Sequence, residues 1–169
     1  LAVTAPAAHI AAACLCAGGT SRPPRGDRLE RLVARLRSGE PFTATLAGAR
    51  IASDGETAGF TRDPGRAGLP EITVQPGRPV VWDGRFEILS DAPGTVRTLG
   101  GLSRRLPKAQ QAALRALPAA IRPTLPVMVS RDGAVCCPIL AEHPSVRATA
   151  LVLPRFEAAI GVVDGESAV

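Results

Sequence analysis

The residues in this chain best suited to chemistry are cations. Arg97, Arg104, Arg105 and Lys108 lie close together, and Arg122 follows between Pro118 and Pro123. Guanidinium forks and an ammonium at this spacing suit the phosphate oxygens of a polyanion. The cluster runs into the first turn of a helix predicted to open at Pro107, where free N–H groups add to the attraction for phosphate. The prolines on either side restrict the backbone around Arg122 and so limit where its fork can point. A secondary basic face, Arg28, Arg31 and Arg35, lies on a separate helical stretch, with Glu30 neutralising part of it. For every one of these residues a solvated surface, or an arginine pairing with a nearby aspartate, is the plain alternative.

No catalytic residue is assigned. The glycine pairs Gly18-Gly19 and Gly100-Gly101 lack the following Lys-Ser/Thr of a phosphate-cradling loop. There is no Gly-x-Ser-x-Gly, and no histidine close in sequence to a convincing nucleophile. Asp54, Asp83 and Asp132 each precede glycine, where turn geometry accounts for them. The cysteines fall as Cys14-x-Cys16 and Cys136-Cys137, neither with the two-residue spacer of a zinc or redox motif. His9 and His143 would complete a metal set only if the chain ends met. The expectation is buried, reduced thiols and no metal, with a thiol-liganded metal protein as the minor alternative.

Composition agrees with a basic binding domain. The chain has 169 residues, 46% of them hydrophobic, a net charge of +5 and a pI near 9.8. That is enough apolar material for one ordinary core or two small ones. Aromatic residues make up only 3%, so Leu, Val, Ile and Ala must fill the interior. Lys108 is the only lysine, an arginine bias that favours polyanion binding but that a GC-rich genome also produces. The apolar opening, residues 1–17, has no basic n-region and no initiator methionine. It reads as a helix in mid-protein rather than a signal peptide, with the chain as a fragment of something longer.

The elements that must position the cations are short. Pro6 opens a helix that runs to about Cys16 and stops at Gly18-Gly19, and Arg22-Pro23-Pro24-Arg25 is an extended connector. Leu29, Leu32, Val33 and Leu36 repeat at three and four, predicting an amphipathic helix over 26–37. From Phe42 the period drops to two, and Asp54-Gly55 marks a hairpin. Residues 63–68, Asp-Pro-Gly-Arg-Ala-Gly, form the best internal boundary. Strands are predicted at 71–75, 80–82, 85–89 and 95–99, then the helix from Pro107 through Leu117. A closing hairpin follows about Asp132-Gly133. Beyond Pro154 come a weak helical stretch and an acidic, frayed end. The fold class is α+β: N-terminal helices, then short antiparallel strands and hairpins with one inserted helix. Two domains are expected, a helical segment leading into a hairpin at 1–62 and a small α+β domain at 63–169.

Read in order, residues 97–140 resemble the C-terminal domain of tRNA(Ile)-lysidine synthetases. There, a Lys-Leu-Lys-Lys helix start precedes Val-Pro-Pro-Trp-x-Arg-x-x-x-Pro-Leu and an Asp-Gly turn. Leu117, Pro118, Arg122, Pro126 and Val127 fall on that pattern in register, Arg104-Arg105 stand loosely for the lysines, and Ala120 takes the place of Trp. The stretch from Arg22 to Ile51 is similar to the region after the family's catalytic domain. The family's Ser-Gly-Gly-x-Asp-Ser loop for ATP is absent. The resemblance implies a cytoplasmic ligase that adenylates the wobble cytidine of an isoleucine tRNA with ATP and lets free lysine displace AMP. ATP, with Mg, and lysine would bind a catalytic domain outside this chain. This portion, with no cofactor and no membrane contact, would hold the tRNA body through Arg97, Arg104, Arg105, Lys108 and Arg122. The alternative is a free-standing basic nucleic-acid-binding or interaction module with no enzymatic role.

Overall fold

The computed structural model describes residues 1–161; the acidic end expected from the sequence lies outside the described residues. The fold is α+β, with antiparallel sheets throughout. The chain gathers into two compact units, Leu1–Thr61 with the described residues from Leu151 onward, and Arg62–Ala150.

In the first unit, α1 (Ala7–Gly18) starts behind Pro6 and ends on Gly19 in the left-handed conformation, whose N–H returns to the Cys16 carbonyl. Its buried side carries Ile10 and then the small side chains of Ala11, Ala12, Ala13 and Cys14. A Cβ on Gly18 would collide with the Ala47 carbonyl, so glycine is required where α1 meets the turn between the first strands. The helix α2 (Asp27–Arg37) buries Leu32, Val33 and Leu36 and carries Asp27 and Glu30 in its first turn and Arg35 and Arg37 in its last, matching its dipole. Strands β1 (Phe42–Leu46), β2 (Ala49–Ser53) and β3 (Ala58–Arg62) make a sheet in that order. β2 alternates strictly, with Ala49, Ile51 and Ser53 inward. The Asp54 carboxylate closes the β2–β3 turn by accepting the N–H groups of Glu56 (2.9 Å) and Thr57 (2.7 Å). The terminal helix α4 (Val152–Ala159) packs on α1, and the Arg155 side chain donates to the Thr20 carbonyl at 3.0 Å. This helix starts before Pro154 rather than after it. Proline is accommodated in a first turn, where the missing N–H has no helical partner anyway.

The second unit has two sheets over one core. β4 (Ile72–Val74), β7 (Gly94–Thr98), β8 (Pro126–Ser130) and β9 (Val135–Cys136) form one, and β5 (Val80–Trp82), β6 (Phe86–Ser90) and β10 (Val146–Ala150) the other, with β6 central. Both contribute to a single cluster that includes Val74, Trp82, Ile88, Val96 and Val127, and α3 (Lys108–Ala116) adds Leu114 to it. Trp82 is fully buried, and its indole N–H is satisfied by the Pro70 carbonyl at 2.8 Å. β10 was not read from the sequence.

Asp83 does more than turn the chain. Besides sitting at positive φ (49°), it accepts Arg62 Nη2 at 2.8 Å and Arg85 Nε at 2.7 Å. Arg85 is almost wholly buried, lies against the rings of Trp82 and Phe86, and donates Nη2 to the Thr124 carbonyl at 2.6 Å. A charge at this depth is tolerable only when paired with a carboxylate and hydrogen-bonded, and Asp83 and the Thr124 carbonyl meet these needs.

Candidate nucleic-acid interface

The expected cations of the second unit do not share one role. Arg104 and Lys108 are exposed, at a short 3-10 turn (Ser103–Arg105) and at the first position of α3. Arg105 is exposed too, and its Nη2 donates to the Gly133 carbonyl at 2.6 Å, tying this turn to the β8–β9 hairpin. Arg97 projects from β7 and meets Glu71 at 3.4 Å, with both side chains about half exposed. A pair this open contributes little to stability and leaves the guanidinium available to a stronger anion.

Arg122 has a structural job as well. It opens a 3-10 turn (Arg122–Thr124) and sends Nε to the Leu117 carbonyl (2.8 Å) and Nη2 to the Arg115 carbonyl (3.0 Å). These carbonyls belong to the C-terminal end of α3, where helical acceptors run out of partners and the dipole favours a cation. The Pro-rich elbow therefore places Arg122 as a cap on α3. Ala120 is exposed, so the small residue there leaves no hole in the elbow's packing.

The other end of α3 is fixed by glutamines. Gln111 Nε2 donates to the carbonyls of Leu106 (2.7 Å) and Arg104 (3.3 Å), and the buried Gln110 Oε1 accepts the Cys137 N–H at 2.7 Å. From the sheet side, Thr98 Oγ1 donates to the Pro123 carbonyl and the Leu99 N–H to the Leu125 carbonyl. Between these anchors lies an open cleft of about 420 Å³, whose rim includes Arg104, Arg115 and Arg122 around Gly100 and Gly101. Arg104 and Arg115 are exposed and take part in no ion pair among the described residues. Arg115 was missed in the sequence, although Lys108, Gln111 and Arg115 follow the three-then-four spacing of one helix face.

Arg28, Arg31 and Arg35 belong to the first unit. All three are exposed on α2, and Arg35 stacks its guanidinium 4.2 Å from the centre of the Phe42 ring. The four cysteines are free and buried. Among the described residues, no three of His, Cys, Asp and Glu gather as a metal site would require, and no helix is long and apolar enough to cross a membrane.

Comparison with known proteins gives this basic surface a context. The chain is 46% identical over 170 residues to the tRNA(Ile)-lysidine synthase of Caulobacter vibrioides, a match covering 95% of this chain and 41% of that relative. The chain belongs to the tRNA(Ile)-lysidine synthase family. Shorter matches join it to the tRNA(Ile)-lysidine synthases of Rhizobium meliloti, 37% identical over 76 residues (45% of this chain, 16% of the relative), and Brucella anthropi, 37% over 79 residues (44% and 17%). No family model matches the chain, and no solved structure does. The chain thus spans about two fifths of the length of its long-matching lysidine synthase relative. The resemblance seen in the elbow and the basic helix start agrees with this family.

Proposed function

We propose that this chain is the C-terminal, tRNA-binding portion of a tRNA(Ile)-lysidine synthase. Such an enzyme converts the wobble cytidine of an isoleucine tRNA to lysidine with ATP and lysine in the cytoplasm. ATP, with Mg, and lysine would bind in a part of the enzyme outside this chain, which has none of the family's Ser-Gly-Gly-x-Asp-Ser loop. The role of the present chain is to hold the tRNA body. The observation that carries this reading is the exposed set of Arg104, Arg105 and Lys108 at the start of α3, in a chain related to enzymes named for a tRNA. Arg97 and Arg122 would extend the surface, and Arg28, Arg31 and Arg35 would form a secondary one.

Phosphate contacts of this kind release condensed counterions, so affinity falls steeply with salt. The test is a tRNA titration at several salt concentrations with wild type and an Arg104→Ala/Arg105→Ala/Lys108→Ala variant. Each lost contact flattens the logarithmic salt slope by about one unit and weakens binding similarly for different tRNAs. The melting temperature changes by no more than loss of the exposed Arg105–Gly133 bond explains. Equal affinities and slopes for the two proteins would reduce the cluster to a solvated face.

A further inference from the structure

The cleft beside α3 has two kinds of wall. The exposed Pro123, with the edges of the nearly buried Leu99 and Leu114 behind it, contributes apolar surface, and Arg104, Arg115 and Arg122 contribute positive charge. A track for duplex phosphates needs only exposed cations on an open face, and an apolar floor adds nothing to it. An unpaired nucleotide needs both walls, because its base must leave water while its phosphate must be matched by cations. At about 420 Å³ the cleft falls within the roughly 300–1,000 Å³ of sites that enclose small ligands. Gly100 and Gly101 keep one edge free of side chains, so that a ligand can approach the backbone closely.

The walls are also fixed in advance. Gln111 ties α3 to the Arg104 turn, Arg122 caps the far end of the helix, and Thr98 holds the Pro123 carbonyl. A site built this way loses little freedom on binding. Arg122 uses Nε and Nη2 for its capping bonds, leaving the Nη1 edge of the fork out of them.

We infer that this cleft receives one unpaired nucleotide of a bound RNA, its base against Pro123 and the edges of Leu99 and Leu114, its phosphate among Arg104, Arg115 and Arg122. The inference rests on the reading of this chain as a tRNA binder and adds what part of an RNA it selects: a nucleotide outside the duplex.

The experiment compares two RNA duplexes with the same number of phosphates, one blunt and one with an unpaired 3′ extension, titrated against the chain at fixed salt. Two variants accompany it. Arg115→Ala removes one cation of the rim. Gly100→Leu adds bulk at the glycine edge, where a new Cβ meets only Thr98 Cγ2, at an ordinary 3.8 Å, so the fold should tolerate it. The extended duplex should bind about tenfold more tightly, the scale of one base gaining an apolar or stacking contact. Both variants should lose that preference, and Gly100→Leu should do so without changing the salt slope, since it removes no charge.

Equal binding of blunt and extended duplexes by wild type would overturn the inference and leave the tRNA reading intact. A preference that survives in both variants would place the nucleotide elsewhere and overturn it too. Binding of neither duplex at low salt would remove the tRNA reading along with it. Adenosine monophosphate alone should bind at least tenfold more weakly than the extended duplex; tighter binding would make this a site for a free nucleotide and defeat the RNA assignment.

Discussion

At the scale of single residues, burial sets the behaviour of the thiols. It pushes Cys14 and Cys137 from an ordinary 9.0 up to about 12, and raises Cys16 and Cys136 as well. A thiolate is the reactive form, so all four cysteines should resist iodoacetamide at pH 8 in the folded chain and react readily in denaturant. Fast labelling of the native protein, read by mass spectrometry, would show that the thiols are not held in the core. The same shifts couple stability to alkali. The folded chain holds these protons more tightly than the unfolded chain does. Their contribution is therefore complete below about pH 9 and declines as pH rises toward about 12. Asp54 works in the opposite sense. Hydrogen bonds from Thr57 and Glu56 hold its carboxyl down at about 2, so its support of the β2–β3 turn is present above pH 3.8 and is lost as pH falls through about 2. A denaturant midpoint that did not fall between pH 9 and 11 would contradict the account of the thiols.

At the scale of elements, the elbow and α3 stabilise one another through Arg122. Replacing it with alanine leaves the Leu117 and Arg115 carbonyls without their charged donor. The side chain is only partly buried, so the cost should be about 1–2 kcal/mol. In a chain of this size that lowers Tm by roughly 2–8 °C. Arg122→Lys should recover little, because an ammonium cannot span two carbonyls as the fork does. A Tm equal to wild type would show the two bonds to be incidental. What the sequence disclosed at this scale follows from locality. The helix over Asp27–Arg37 was legible because Leu32, Val33 and Leu36 keep one face, and the β2–β3, β5–β6 and β8–β9 hairpins because an Asp-Gly pair stands at each turn. β10 was not, because its partner β6 lies far back in the sequence and no turn signal joins them. Asp83 was read only as a turn residue, since Arg62 reaches it from another part of the chain. Arg115 was passed over because the cleft that gives it a setting forms only when the loop after β7 and the elbow come together.

At the scale of the molecule, each unit has its own buried cluster, one around Ile10, Leu36 and Ile51 and the other around Trp82, Ile88 and Val96. The return of α4 onto α1 is a contact between the two ends of the described chain, and no local pattern could announce it. Among the described residues, neither glycine pair forms the phosphate-cradling loop of an ATP site. Of the two glycine pairs, Gly18 is locked in α1 against the Ala47 carbonyl, and Gly19 is spent ending that helix. Gly100-Gly101 follows β7 but runs into Leu102-Ser103, with no lysine placed as a phosphate loop requires. The chain incubated with an isoleucine tRNA, ATP and lysine should therefore release no AMP and form no lysidine. The same preparation, titrated at low salt, should bind the tRNA through the basic surface at α3. The two measurements together separate holding from chemistry: binding without turnover fits a chain that positions RNA for a reaction performed elsewhere in a longer enzyme. Lysidine appearing in this incubation, detected by mass spectrometry of the digested tRNA, would mean that an active site has been overlooked and would overturn the division of labour proposed for this chain.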